Sequence, residues 1–547
     1  MNVEGGLEAN RKIYRSQTLP IVDCIAAGQN KKYRRKEKGE KAIIMTDESG
    51  DECVWINLEA LVLENKGAEL LAAGHPEHPT LGRVVVATKD LGADLLYQSM
   101  VKEIPALVCR NQDYMDFMEK FMDVPEEIQL AILDMFCQPL DSPQAKSLLE
   151  PAKVLFLLGA CEDLTLIHQL LTIVATNGHQ YQDNCTALPL FGSKFPHSCD
   201  PNLGYCHEHT TGKSSSSDKN NGSAVDYVLL KPVKKGDILS ISYLADLLET
   251  PTNERRKLLQ ETKSFACACD RCQGPDYLRC LSCPTCSTLV LCQYAVITDD
   301  DGDANNQSSS HQEFWECSQC GMLDPEPFLV LENSYARLLK SIQKDVEQKQ
   351  TRITRISEYS PSVLEELVTE CEQELSPTHH LTMLALRLWF TAATAAGYLQ
   401  LHKRMVRGKS LYTHNTRAFG FFRSSVEAGL KLVWTGECVA ANCSTGYCSY
   451  RTEEDDDKHR HAPQFDRSFA VKNIGDSLLH LPVFYWPPET VTTILRYLPI
   501  LRARYGDDKV DNLYKSVIQP WEGQTCLECG AANTWDAFQH QSTLMMD

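Results

Sequence analysis

The stretch 195-FPHSCDPNLGY-205 sets one cysteine, Cys199, between His197 and the turn-forming run Asp200-Pro201-Asn202. Downstream, 267-CACDRC-272 is a C-x-C-x2-C group; it puts the thiolates of Cys267, Cys269 and Cys272 on one tight turn and leaves a tetrahedral zinc ion one ligand short. Cys199 is a candidate for that distant fourth ligand. A second group, Cys283-x2-Cys286 and Cys317-x2-Cys320, consists of two knuckles separated by a long loop, the spacing of a zinc ribbon. Nine of the 23 cysteines fall in the 54 residues from Cys267 to Cys320, and buried reduced thiols would not repeat a two-residue spacing. Cys280 and Cys292 are left over. A third pair, Cys526 and Cys529, has no partner pair unless Cys438, Cys443 or Cys448 supplies one, and metal binding and ordinary thiols both stay open there.

The surrounding chain is 547 residues long, enough for three or four domains. With 43% apolar and 23% charged residues it has the composition of a folded globular protein rather than a disordered one. A net charge of -19 opposes adhesion to phosphate backbones or anionic lipid and favours a basic partner, so neither nucleic acid nor membrane is an expected partner. The opening MNVEGGLEANRKIY has no apolar core of a secretory signal, which predicts a reducing compartment, cytoplasm and/or nucleus. The apolar run 381-LTMLALRLWFTAATAAGYLQLH-402 has the length of a membrane span, but Arg387 lies within it, and a buried helix is the better reading.

Along the chain, 31-KKYRRKEKGEK-41 carries seven positive and two negative charges and reads as a nuclear import address or, equally, as a solvated surface segment. The segment 81-LGRVVVATKDLGADLLY-97 reads as a β-hairpin, and 123-DVPEEIQLAILDMF-136 as a helix opened by an Asp123/Glu126 capping box with Pro125 in its first turn. Three polar stretches, 211–223, 300–310 and 453–461, read as flexible loops. Two short strands are expected around the Lys-Lys-Gly turn within 227–248, and from about Pro325 helical periodicity predicts an irregular all-α array.

Three ordered motifs give these pieces a common meaning: H-S-C-D-P-N from His197, G-D-I-L-S-I-S-Y from Gly236 to Tyr243, and F-x-C-x-C-x2-C from Phe265 to Cys272. Together they resemble the SET-domain protein-lysine methyltransferases, and the layout looks like their SMYD (SET and MYND) branch. Gly82-Arg83 looks like the first SET strand motif and Asn177 like the asparagine that precedes the SET core. The MYND finger is not found in residues 1–135, where Cys24, Cys53 and Cys109 are too few for its two zinc ions. The resemblance implies an α+β protein. Residues 1–79 would be an N-terminal segment. A β-rich SET domain would span 80–275, with a helical insertion at about 105–175 and a post-SET zinc site closed by Cys199, Cys267, Cys269 and Cys272. A ribbon-like module at 276–325 and an α-helical domain at 326–547 would follow.

The same resemblance implies S-adenosylmethionine (SAM) as cofactor, structural zinc, and a lysine-bearing protein substrate, with a histone tail as one candidate. Tyr243 would be the catalytic tyrosine; Gly82, Arg83, Asn177, His197 and Phe265 would bind the cofactor. The chain departs from the family pattern at Val84, Pro196, Lys194 and Lys263. A second glycine is usual at Val84, an asparagine at Pro196, an apolar residue at Lys194 and a second tyrosine at Lys263. These departures keep open a second reading, a weak or inactive SET scaffold that binds other proteins, for instance through its helical C-terminal domain. A nucleic-acid-reading ribbon is disfavoured, because residues 276–325 carry almost no positive charge.

Overall fold

The computed structural model describes residues 34–37, 42–46, 52–56, 62–71, 75–76, 82–181, 184–207, 224–297, 310–350, 360–406, 416–440, 468–480 and 488–519. Cys443, Cys448, Cys526 and Cys529 lie outside them, as do nearly all of the three polar stretches. Two compact units divide the chain: Met1–Tyr243 with Arg256–Cys267, and Leu244–Arg255 with Ala268–Asp547.

The first unit is a set of small sheets around a four-helix insertion. Its largest described sheet has the antiparallel order Leu203–His207, Val225–Leu229, Ser99–Glu103, Val62–Asn65. A second joins Leu107–Arg110, Cys185–Leu188 and His179–Tyr181. Tyr227, Phe191, Phe195, Leu203, Leu239 and Ile241 are among the buried residues of the core these sheets enclose. The insertion follows from capping chemistry. Asp113 accepts from the Asp116 amide to open Tyr114–Asp123, Ser142 from Ala145 ahead of Pro143–Leu157, and Asp163 from Thr165 and Leu166 ahead of Leu164–Asn177.

Two local expectations are corrected. The 81–97 stretch is not a hairpin: Val84–Ala87 pairs with the upstream strand Ala68–Leu71, and the second apolar run forms the short 3-10 turn Ala93–Leu95. Val84–Ala87 is buried at all four positions, so its partners are chosen by the core, whereas Ala-Asp-Leu lacks β-branched residues to hold a strand. The helix expected from Asp123 is Glu126–Leu133; Pro125 is its cap without a side-chain bond, and Asp123 ends the preceding helix. Pro125 disfavours helical dihedrals at Val124, which breaks the two apart. Of the two strands expected within 227–248, Val225–Leu229 forms a ladder. The second arm makes isolated bridges, Val86 to Ile238 and His197 to Ile241.

In the second unit a four-stranded antiparallel meander, Asp276–Ser282, Leu289–Ile297, Ser310–Cys317 and Gly321–Leu323, occupies the stretch expected to be ribbon-like, hereafter the ribbon. Trp315 is buried and stacks on Phe328 at 5.0 Å. Helices follow from Glu326 onward. Pro361–Glu374 packs on His380–Val406, which packs on Thr416–Ala440 and so on through Ser468–Leu478 to Pro488–Tyr505. The apolar run expected to be a buried helix is His380–Val406, and its Arg387 pairs with Glu249. No described helix is long and apolar enough to cross a membrane.

Candidate functional site

The residues of the quoted motif work as a clamp on the segment that ends in Tyr243. Asn202 donates its amide to Ile238 O (2.8 Å) and accepts from the Ser240 amide (2.8 Å). The Ile241 amide donates to Pro196 O and the Ser198 amide to Ile241 O, both at 3.0 Å. The Tyr243 amide donates to His197 Nδ1 at 3.0 Å. Because Nδ1 accepts, the proton of neutral His197 sits on Nε2, where it points to Cys199 Sγ at 3.2 Å. One imidazole therefore ties the Tyr243 backbone to a thiolate of the cysteine group.

The Tyr243 hydroxyl donates to Phe195 O at 2.7 Å, and burial pushes its pKa above the usual phenol range. The residue as a whole is 36% exposed, and an aromatic cluster flanks its ring, with His197 at 5.3 Å and Phe265 at 6.5 Å between ring centroids, and His197 and Phe265 6.0 Å apart. Lys263 Nζ stands 5.7 Å from the Tyr243 ring and donates to Thr176 O (2.6 Å) and Ala175 O (3.3 Å). Burial lowers its pKa to about 8.

Asn177 ends the helix Leu164–Asn177, and its amide donates to Phe136 O at 2.7 Å and Ile173 O at 2.9 Å. Gly82 has φ +65°, open to glycine, and nothing lies within 4 Å of where a Cβ would stand. Arg83 pairs with the Asp134 carboxylate and donates to Asp134 O at 2.6 Å, so its guanidinium is engaged within the fold. Val84 is fully buried. Lys194 is also buried; burial lowers its pKa to about 8, Arg83 adds to the fall, and Asp134 and Glu103 oppose it.

Two groups of four cysteines are set for zinc. Cys199 Sγ lies 3.9 Å from Cys267 Sγ, and with Cys269 and Cys272, which follow in the same short segment, the four sulfurs lie within 4.8 Å of one another. Cys283, Cys286, Cys317 and Cys320 do the same, with sulfur separations of 3.4 to 3.8 Å. A tetrahedron of thiolates with zinc–sulfur bonds of about 2.3 Å needs edges of about 3.8 Å. Both sets fit zinc. At the ribbon, the Thr288 hydroxyl and the amides of Cys320 and Gln319 favour the thiolate of Cys317, lowering its pKa to about 6. Cys280 and Cys292 stand outside both sets. Glu332, His379 and His380 also cluster, but both Glu332 oxygens already accept from Arg279, at 2.9 and 2.6 Å, so the carboxylate has its cation.

Two contributors escape a reading of the sequence. Asn202 lies inside the His197–Asn202 motif, where turn chemistry explains its presence and hides its two hydrogen bonds, to Ile238 O and from the Ser240 amide. Glu103 accepts from the Phe191 and Gly192 amides, both at 2.8 Å, and nothing in its strand sequence, Ser-Met-Val-Lys-Glu, signals that.

No family model matches the chain. It is 40% identical over 86 residues to a SET and MYND domain-containing protein of Dictyostelium discoideum, 16% of this chain and 14% of that relative. Two further SET and MYND domain-containing proteins of the same organism are 35% and 34% identical over 94 and 96 residues, 17% of this chain and 20% of each relative. The matched stretches thus span at most a fifth of those relatives' own length. A solved SET domain of LSMT bound to lysine and AdoHcy aligns at 11% identity and TM-score 0.28 over 64% of this chain and 90% of that one, too loosely to carry an argument. Over about a sixth of its length, then, the chain is similar in sequence to SET and MYND domain-containing proteins.

Proposed function

We propose that the protein is a SAM-dependent protein-lysine N-methyltransferase of SMYD-like type, with Tyr243 as its catalytic residue and a histone or non-histone lysine as substrate. The observation that carries this reading is the Tyr243 hydroxyl, held at Phe195 O inside the cluster of His197, Phe265 and Lys263. The sequence similarity to SET and MYND domain-containing proteins supports it.

Methyl transfer to an amine is a displacement in which alignment does most of the catalysis. SAM, when bound, supplies an activated methyl group on a sulfonium. Gly82, the Arg83 backbone, Asn177, His197 and Phe265 are the residues proposed to hold it. The chain's own part is to receive a lysine side chain and present its amine neutral. An aromatic site disfavours the ammonium form to the extent that it excludes water. The Tyr243 phenol stays protonated at neutral pH, and with its hydrogen committed to Phe195 O its oxygen is left to accept from the incoming amine N–H and fix its direction. The SET domain would run through 80–275, with the zinc groups as structural staples, and the protein would act in the cytoplasm and/or nucleus. A net charge of -19 suits a basic peptide substrate.

Calorimetric titration of the zinc-replete protein with SAM tests this first, with micromolar binding expected. Methylation of histone and non-histone proteins, read by mass spectrometry, should then fall by about a hundredfold or more in Tyr243→Phe while SAM affinity is retained. Absence of SAM binding to a folded sample sinks the proposal in favour of a SET-fold scaffold.

A further inference from the structure

Lys263 closes the helix Thr252–Lys263, and the positive φ of Ser264 (+59°) turns the chain immediately after it. The two carbonyls its ammonium meets, Ala175 and Thr176, belong to the last turn of Leu164–Asn177, the negative end of that helix. The ammonium is thereby fixed over the Tyr243 ring. Among the described residues no carboxylate pairs with it, so its charge is balanced by carbonyl dipoles alone. Two titratable groups face it. The Tyr243 phenol is kept neutral by burial, and His179, its Nδ1 bonded to Asn177 O, has its pKa lowered to about 4, mainly by burial and further by Lys263. A full positive charge therefore stands beside the residue proposed as catalytic, with no negative charge to cancel it.

Resting on the methyltransferase reading above, we propose that Lys263 sets the ligand preference of the site: its ammonium disfavours the sulfonium of SAM relative to the neutral thioether of the demethylated product, S-adenosylhomocysteine. The two ligands share their adenosine, carboxylate and amine and differ in one methyl group and its charge. The change in their affinity ratio when Lys263 is substituted or deprotonated therefore reports the interaction between Lys263 and the sulfur. A like charge bound close to the ammonium at a partly buried site would be repelled strongly enough to change an affinity by about tenfold. An enzyme with this bias holds product more tightly than donor.

The test is calorimetric titration of the full chain with SAM and with S-adenosylhomocysteine, at pH 7 and pH 9, for the wild type, Lys263→Met and Lys263→Arg. The wild type should favour S-adenosylhomocysteine at pH 7. That preference should shrink at pH 9, above the pKa of about 8, where Lys263 has lost its proton. Lys263→Met should move the ratio toward SAM by about tenfold and abolish its pH dependence; Lys263→Arg, which keeps charge and donors, should keep the wild-type preference at both pH values. Binding of both ligands with a ratio unchanged in Lys263→Met overturns the inference. If Lys263→Met does not fold, the wild type still decides, since a ratio that stays flat between pH 7 and pH 9 overturns it as well. Binding of neither ligand to the wild type is a different failure: it removes the methyltransferase reading itself, and this inference with it.

Discussion

Gly192 sits against Tyr227 so closely that a Cβ would stand 1.6 Å from the phenol oxygen and 2.4 Å from Cζ, and no rotamer of a packed, buried ring relieves that overlap. Its amide and that of Phe191 are both held by the Glu103 carboxylate, which is fully buried. Burial pushes Glu103 up to about 7 in spite of those bonds, while His179, also enclosed, is pushed down to about 4. The signs oppose each other. The folded state holds Glu103's proton more tightly than the unfolded chain does, so the stability Glu103 contributes is fully present below about pH 4.5 and is lost as pH rises through 7. His179 favours folding more as pH rises from about 4 to 6.5. Removing Glu103's titration should therefore expose the histidine. Stability of Glu103→Gln relative to wild type, from urea unfolding at pH 5 and pH 7.5, should improve by about 2 to 3 kcal/mol across that range. A difference that does not change with pH would mean that Glu103 is ionised throughout.

The elements show which parts of this arrangement could be read in advance. Cysteine spacing announced both zinc groups, because a metal's ligand count and geometry constrain the chain locally. The resemblance assigned Tyr243 to catalysis and His197 and Phe265 to the cofactor; the structure brings the three rings within 5.3 to 6.5 Å of one another, a proximity that the motif spacing does not itself state. Partner choice was not legible: Val84–Ala87 pairs with Ala68–Leu71, and Asp123 ends one helix rather than capping the next. Both outcomes depend on neighbours distant in sequence or on competition between adjacent helices, which local propensity does not register. The segment 236–243 is the clearest case. It forms no ladder of its own and is held by isolated bridges and by the Asn202 side chain. Asn202→Ala should cost about 2 to 3 kcal/mol for two lost buried bonds. Amide exchange should quicken at Ser240 and Tyr243 while the Val225–Leu229 ladder stays protected. Uniform loss of protection would instead mean global destabilisation and no special role for the clamp.

At the scale of the molecule, the two cysteine sets differ in how they meet solvent, and that difference should be measurable as the order in which metal leaves. In the Cys199 set three ligands are buried, and positive or polar donors reach the sulfurs: His197 Nε2 at 3.2 Å from Cys199, and the Arg255 guanidinium at 3.6 Å from Cys272. Such donors offset thiolate charge and tighten a zinc site. In the ribbon, Cys320 is exposed and Cys286 half-exposed, which gives a chelator a ligand to displace. Elemental analysis should find at least two zinc ions per chain, and a chromogenic chelator should draw a fast phase from the ribbon and a slow one from the Cys199 set. Cys317→Ser should delete the fast phase and leave the slow one. Cys199→Ser should delete the slow phase and, because its binding energy is folding energy, lower the thermal midpoint. Unchanged zinc content in Cys199→Ser would remove that thiolate from the ligand set, and with it the link from metal through His197 to the Tyr243 backbone.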